Sequence, residues 1–269
     1  MSTFVDQTSH RIELSSVPKK IISLVPSQTE LLADLGLRES LVGITKYCIY
    51  PAEVFLSVKH IGGTKTFDIE KIKAIKPDLI IGNKEENPKE HIEALREHFP
   101  VWVSNIGNMH EALESIYCIG ELTATQGKAA DLITSISNDF KKLEEYKNKK
   151  HQPKKTLYMI WRKPYMAAGG DTFISDMLYR CGFDNVLYYQ NRYPELDARQ
   201  IKELNPEVIL LSSEPYPYQE KHVKEFQAIC PYAKVMRVEG EYFSWYGSRL
   251  LSATNYFKQL QDKIFNHQD

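Results

Sequence analysis

The chain has 269 residues, 42% apolar and 26% charged, with 34 basic and 35 acidic side chains for a net charge of −1. That balance excludes a whole-protein field drawing the chain onto nucleic acid or an anionic membrane. The length is enough for one large domain or two modest lobes, each with its own core.

Residues 1–7 carry neither a basic n-region nor an apolar h-region, so the chain as written is expected to be either trimmed or cytoplasmic. No stretch is long and apolar enough to cross a bilayer. Ile21-Ile22-Ser23-Leu24-Val25 is a short β-branched run and predicts a buried strand, ended by Pro26. Ser27 and Glu30 have capping-box spacing, which predicts a helix with Ser27 as N-cap, Leu31, Leu32 and Leu35 inward, and Gly36 as its stop. Leu41–Ile44 predicts a second strand, followed by a loop through Pro51 and another at Gly62-Gly63. Asp68 predicts an N-cap for a helix carrying Ile69, Ile72 and Ile75, stopped by Lys76-Pro77-Asp78 ahead of a strand at 79–81. A helix over 88–98 and a strand over 101–103 follow. Alternating β and α elements predict a mainly parallel sheet.

From Thr125 to Lys150 the pattern changes. Leu132, Ile133, Ile136, Phe140 and Leu143 recur at helical spacing with no Pro, predicting one long helix well over 30 Å at about 1.5 Å per residue. It reads either as one more sheet-covering helix or as a connector, and the repeat beyond it favours the connector. Lys154–Ile160 predicts a strand, Gly169-Gly170 a loop, Asp171 an N-cap, and Gly182 the end of a helix carrying Phe173, Ile174, Met177 and Leu178. The segment 197–210 then repeats 68–81 without a gap in Asp, Ile, Lys, Pro and Ile, at an offset of 129 (197 − 68). The expectation is α/β: two similar Rossmann-like lobes over 1–122 and 152–269, joined by a single backbone helix over 123–151, with a ligand cleft between them.

Signatures of catalysis are missing: there is no GxGxxG, GxxxxGK[ST], GxSxG or HExxH. The eight His are scattered, no two at i, i+4, and no metal site is expected. Cys48, Cys118, Cys181 and Cys230 form no CxxC pair and fit buried free thiols. The Lys84-Glu85-Glu86 and Lys147–Lys150 runs read as solvated faces. Aromatics cluster in loops: Tyr47 and Tyr50; Trp161 and Tyr165; Tyr188, Tyr189 and Tyr193; Tyr216 and Tyr218; Tyr242, Phe243, Trp245 and Tyr246. Most follow predicted strands, which places them on the crevice side of an open α/β sheet, either gripping a bulky apolar ligand or closing a core.

In this order, the segments Lys20–Glu30 with Gly36, Asp68–Gly82, the long helix, and Tyr242-Phe243 through Ser248–Leu251 resemble the binding-protein family of ABC importers for vitamin B12, haem and ferric siderophores. The likeness runs from Arg11 to about Leu260 and is nearest to the cobalamin-binding branch. It implies a non-enzymatic, periplasmic or extracytoplasmic receptor without a cofactor, expected to be monomeric. Such a receptor captures a small molecule (corrinoid, siderophore or haem) and delivers it to a membrane permease, with no nucleic-acid partner. The implied ligand-binding set is Ser27, Tyr47, Tyr50, Thr64, Asn83, Trp161, Tyr165, Tyr193, Glu241, Tyr242, Phe243 and Trp245. Tyr47 matches a pocket tyrosine of the family, Tyr193 stands where a tryptophan is expected, Thr64 and Asn83 replace tryptophans, and Glu241 stands near an acidic pocket residue. The resemblance also implies permease docking through one acid per lobe. Glu70 occupies the first such position, where it also reads as a favourable charge on a helix's first turn, worth about 0.3–1 kcal/mol. Arg199 occupies the second, with Glu195 near enough to substitute. A cytoplasmic carrier or sensor, or a corrinoid-handling enzyme on the same fold, is the alternative that the missing leader keeps open.

Overall fold

The computed structural model describes residues 2–150 and 152–265, and the side chains of all of these except 147–150. His151, His267, the last residue of the expected connector and the side chains of the Lys147–Lys150 run lie outside that description. The chain divides into two compact units. Unit 1 runs through Ile106 and adds His110–Ser135 and Tyr246–Arg249; unit 2 holds Gly107–Met109, Ile136–Trp245 and the chain from Leu250 on. The boundary falls inside the long helix, between Ser135 and Ile136, and Tyr246–Arg249 belongs to unit 1, so the division differs from the expected 1–122, 123–151 and 152–269.

Unit 1 opens with a hairpin, β1 (Ser2–Val5) and β2 (Arg11–Leu14), followed by β3 (Ile21–Ser23), α1 (Pro26–Asp34), β4 (Leu41–Ile44), α2 (Ala52–Ser57), α3 (Ile69–Ile75), β5 (Leu79–Asn83), α4 (Lys89–Arg96) and β6 (Val101–Ser104). α5 (Met109–Leu122) and α6 (Gln126–Lys150) follow. Strands β3 to β6 form a parallel sheet in the order β4-β3-β5-β6. Parallel strands covered on both faces read as unbroken apolar runs, and all five residues of β5 are buried. The core joins Ile22, Leu24 and Val25 to Ile61, Phe67, Ile72, Ile80, Ile92, Leu95, Val101 and Val103.

The expected Ser27 cap is corrected. Val25 is the N-cap, with extended backbone and no side-chain cap bond, and Pro26 opens the helix, where its fixed φ and missing N–H cost nothing. Ser27 therefore sits buried within the first turn. Gly36 does end the helix as expected: at φ +87 it completes a Schellman turn, Gly36 N–H to Ala33 O at 3.0 Å and Leu37 N–H to Leu32 O at 2.9 Å. Leu31, Leu32 and Leu35 are fully buried, roughly 1.5–3 kcal/mol each relative to exposure. The hairpin was not predicted. It is clasped by Asp6, whose side chain is fully buried against Arg96 at 2.6 Å and accepts the N–H groups of Thr8, His10 and Val103.

Unit 2 comprises β7 (Lys154–Trp161), β8 (Tyr165–Ala167), α7 (Phe173–Arg180), β9 (Phe183–Asn185), β10 (Glu195–Leu196), α8 (Ala198–Glu203), β11 (Val208–Ser212), α9 (Glu220–Ile229), β12 (Lys234–Val238), α10 (Glu241–Ser244) and α11 (Leu250–Phe265). β7, β11 and β12 are parallel neighbours. The other edge of β7 is shared: β9 pairs in parallel with its start, at Lys154–Thr156, and β8 antiparallel with its end, at Met159 and Trp161. β10 closes that side against β8. Thr172, not Asp171, caps α7, its side chain accepting the Ser175 N–H. Asp171 instead receives the Arg192 N–H at 2.5 Å. Gly182, at φ +84, ends α7 as Gly36 ends α1.

Candidate functional site

In open α/β sheets ligands bind beyond the carboxyl ends of the strands, so each unit has one rim to examine. In unit 1, β4 leads into the loop carrying Tyr47 and Tyr50, which are 53% and 39% exposed. These are large rings in solvent, yet they are held. Lys46 N–H bonds Gly62 O at 2.8 Å, and the Lys46 ammonium lies 5.1 Å from the Tyr47 ring centroid. A Cβ added at Gly63 would sit 3.0 Å from Thr66 Oγ1 and 3.3 Å from Tyr47 Cε2, so the loop runs close under the ring. Tyr50 carries Arg249 4.8 Å above its ring, and that guanidinium is gripped by Glu30 in a two-bond fork, at 2.7 and 3.0 Å. Arg249 and Glu30 were not in the expected set. They lie 219 residues apart, and no local signal joins them.

Two expected ligand contacts of unit 1 are interior groups. Asn83, 1% exposed, donates to Ser104 Oγ at 2.9 Å, and its carbonyl accepts the Glu85 and Glu86 N–H groups. It turns the chain at the end of β5, and its side chain is expended on that turn. Ser27 is 4% exposed in the first turn of α1. Beside it the buried Gln28 bonds Ser104 Oγ at 2.6 Å and Gly82 O at 3.2 Å, tying α1 to the ends of β5 and β6. Thr64 is half-buried, and its carbonyl accepts from Asn87 at 2.9 Å. The Cys48 thiol, fully buried behind this rim, is pushed up by burial.

In unit 2 the ring at the end of β7 is Trp161, 39% exposed, its indole N–H donating to Lys163 O at 3.1 Å. Tyr216 packs edge-on to it at 5.7 Å, and the buried Tyr218 donates its hydroxyl to the Trp161 carbonyl at 2.8 Å. Tyr165 is half-buried and donates to Glu225 at 2.5 Å; Arg162 pairs with the same carboxylate at 2.9 Å. Burial first, and then Glu225, raise the Tyr165 hydroxyl to about 12. Burial disfavours the Glu225 charge, but the bonds from Tyr165 and Arg162 prevail and hold it below the usual carboxylate range. Tyr193 is half-buried, with the Arg192 guanidinium 5.5 Å from its ring.

At the end of β12, Glu241 and Tyr242 are half-buried in α10, and Tyr242 stacks on Tyr256 at 4.4 Å. Phe243, expected on the rim, is a core residue: it is fully buried and packs against Tyr158 at 5.1 Å and Phe257 at 4.8 Å. Trp245 is 7% exposed, its N–H bound to Glu214 at 2.9 Å. Tyr188 and Tyr189 are exposed but do not lie beyond the carboxyl end of β7. They leave β9, which pairs with the start of β7, and Val186 N–H still bonds Thr156 O.

The docking candidates are on the surface. Glu70 stands in the first turn of α3, 81% exposed, 3.1 Å from Lys73. Arg199 is 84% exposed and paired with Glu203 at 2.7 Å, and Glu195 is exposed in β10. The four Cys are free, three of them buried. Among the described residues, no group of three or more His, Cys, Asp or Glu is placed to hold a metal ion, and no helix is long and apolar enough to cross a membrane.

These features can be set beside known proteins. The chain is 29% identical over 216 residues to the uncharacterized ABC transporter substrate-binding lipoprotein YvrC of Bacillus subtilis, covering 77% of this chain and 68% of that one. It is 25% identical over 197 residues to the vitamin B12-binding protein of Yersinia pestis, covering 72% and 69%. Its fold matches the crystal structure of the periplasmic vitamin B12 binding protein BtuF of Vibrio cholerae with a TM-score of 0.79 at 23% identity, over 94% of this chain and 99% of that one. The sequence pattern of the periplasmic binding protein family matches residues 21–228, and the chain belongs to that family.

Proposed function

We propose that this chain is the solute-binding component of an ABC importer. It captures a corrinoid, or failing that a ferric-siderophore-type chelate, outside the cytoplasmic membrane and hands it to a permease without chemical change. Family membership supports the binding role, and the names of the sequence relatives support the ligand class. The observation that carries the reading is the set of rings Tyr47, Tyr50 and Trp161. Each is more than a third exposed at the carboxyl end of a strand, yet fixed by hydrogen bonds and ring contacts. Aromatic surface held ready in water binds a flat, partly apolar ligand at little ordering cost. Glu70 and Glu195 are the acids available for permease docking, and Arg199 marks a place where a basic mate would be repelled.

Titration of the purified chain with cyanocobalamin, ferric siderophores and haemin in a calorimeter tests the reading. Cyanocobalamin is expected to bind, and Tyr47→Ala and Trp161→Ala should each weaken it by roughly 1–3 kcal/mol. Tyr242→Ala should act in the same direction, and because its ring stacks on Tyr256 it should also lower stability. Wild-type affinity in all three variants would refute the rims as the site. Glu70→Lys should slow uptake in cells without changing affinity; unchanged transport would remove Glu70 from docking.

A further inference from the structure

We infer that Asn87 is a positioning residue for the unit 1 rim: its buried amide fixes the loop on which the Tyr47 ring rests. This inference builds on the binding role proposed above. Asn87 is 4% exposed; its bonds to Asn83 and Leu24 are buried and its bond to Thr64 is part-buried, so water competes little for the amide. Its carbonyl accepts the Asn83 N–H at 2.8 Å, at the end of β5. Its NH2 donates to Thr64 O at 2.9 Å and, at the long limit of 3.5 Å, to Leu24 O just past β3. One side chain thus joins two strand ends to a loop that has no strand or helix of its own.

The path from that loop to the ring is short. Thr64 follows Gly62 and Gly63; Gly62 O accepts the Lys46 N–H, and Gly63 backs the Tyr47 ring. Tyr47 is itself half in water, so burial in the core does not hold it. Its orientation therefore follows the 62–66 backbone and the Lys46 contact; that backbone is held by its own turn bonds and by Lys46 N–H, and the Asn87 donor adds the side-chain tie to the ends of β3 and β5. The approach is tight: a Cβ at Gly82 would lie 2.8 Å from Asn87 Oδ1, so the amide has one seat. Asn87 does not reach the rim surface and would touch no ligand; its effect passes through Tyr47.

Asn87→Asp is the discriminating variant. It keeps the shape and the bond to Asn83 N–H, and it replaces the donor facing Thr64 O with an acceptor. In hydrogen exchange of the unliganded protein, protection of the Lys46 amide should fall roughly tenfold or more, while the Ile80 amide, bonded to Pro100 O inside the sheet, stays protected. Protection of Lys46 equal to wild type would overturn the inference, whether or not any ligand is known. With cyanocobalamin as probe, Asn87→Asp should weaken binding about as much as Tyr47→Ala, and the double variant should be no weaker than Tyr47→Ala alone. Additive losses would mean that Asn87 acts on binding by another route, and would equally overturn it. If Asn87→Asp does not fold, Gly63→Ala displaces the ring from the same loop; an unchanged affinity there would refute the role of the loop. If wild type binds none of the probes, the proposed ligand class fails, and the Lys46 exchange result alone decides the role of Asn87.

Discussion

Asp68 of unit 1 and Asp197 of unit 2 do the same work in the same setting. Each caps a short helix by accepting the N–H three residues on, and Asp197 adds a capping box with Gln200. Each helix ends one residue before a proline in a left-handed residue that is not glycine, Lys76 at φ 54 and Asn205 at φ 45. An acid follows each proline and ties down the start of the neighbouring strand. Asp78 accepts the Lys19 and Lys20 N–H groups at 2.9 Å, and Glu207 accepts that of Lys155 at 3.0 Å. These shared features sit at the amino ends of the strands. At the carboxyl ends the units part company. Unit 1 holds its rim with amides and hydroxyls (Gln28, Asn83, Asn87 and Ser104), and unit 2 with rings (Trp161, Tyr216, Tyr218 and Phe226). The end that builds the fold is repeated, and the end proposed to meet a ligand is not, as expected when function resides in loops on a common scaffold.

The sharpest way to break this comparison is through charge. The Asp6 side chain is fully buried against Arg96, whereas the Arg162–Glu225 pair of unit 2 is about a quarter exposed on each side. Asp6→Ala would leave the N–H groups of Thr8, His10 and Val103 without their acceptor and Arg96 with Glu93, so it should cost about 3–5 kcal/mol in chemical denaturation. Glu225→Gln, which keeps an acceptor for Tyr165, should cost about 1–2 kcal/mol. Equal losses would mean that the two pairs are equivalent and that the hairpin clasp is no special feature of unit 1.

Much of the scaffold was legible because its signals are local. Strands at 21–25, 41–44, 79–81 and 101–103, the long helix, the Asp68 cap and the Gly36 and Gly182 stops follow from apolar runs, spacing and turn chemistry. The misses have physical causes. Pro26 at the first helical position moved the cap from Ser27 to Val25. The hairpin at 2–14 buries only Ile12 and Leu14 among its apolar residues, too few for a pattern. Tyr188 and Tyr189 were misplaced because the pairing of β9 with the start of β7 is non-local. In the rim the exposed rings were readable from composition and position. The groups that hold them, Asn87, Tyr218, Glu30 and Arg249, were not, because each acts across a long sequence separation.

Next in size is the ring-built rim itself. Tyr218→Phe removes the hydroxyl that satisfies the part-buried Trp161 carbonyl, and should cost about 1 kcal/mol of stability. If unit 2 holds its rim by packing alone, the loss will be near zero, and Tyr216 edge contact is the whole support.

A smaller test uses pH, and the two units respond with opposite sign. In unit 1 Glu86, expected on a solvated run, is half-buried, and burial raises its carboxyl above its ordinary 4.5, opposed by Lys65 and reinforced by Glu85. Its contribution is fully present below about pH 4.5 and is lost as pH rises through the folded value, so Glu86→Gln should remove that loss. In unit 2, burial, with help from Arg162 and Lys221, lowers His222 below its ordinary 6.5. Its Nδ1 accepts the Gln219 N–H at 2.8 Å, a bond only the neutral ring can make. The unfolded chain then takes up the proton first, so stability present above about pH 6.5 falls as pH drops toward the folded value. Denaturation midpoints from pH 4 to 7 should show His222→Gln flattening the acid side of this range; an unaltered slope would remove His222 from the account.

The smallest effect bears on the shared half. Lys76 and Asn205 both have left-handed φ just before a proline, although Lys76 N–H bonds four residues back to Ile72 O and Asn205 N–H three back to Lys202 O, and their side chains suit that region differently. A Cβ in that region crowds the following carbonyl at roughly 1 kcal/mol or more, whereas Asn tolerates it better than most residues. Glycine has no such penalty, although it surrenders more freedom on folding. Lys76→Gly should therefore raise stability by about 0.5–1 kcal/mol, and Asn205→Gly by less. The Lys76 N–H bond to Ile72 O at 3.2 Å and the Asn205 N–H bond to Lys202 O at 3.1 Å are backbone contacts that each survive their own substitution. Measured side by side in urea, the gain should rank Lys76→Gly above Asn205→Gly. The reverse order would show that the two turns, alike in angle and position, are not under the same local control, and the likeness between the units would then stop at geometry.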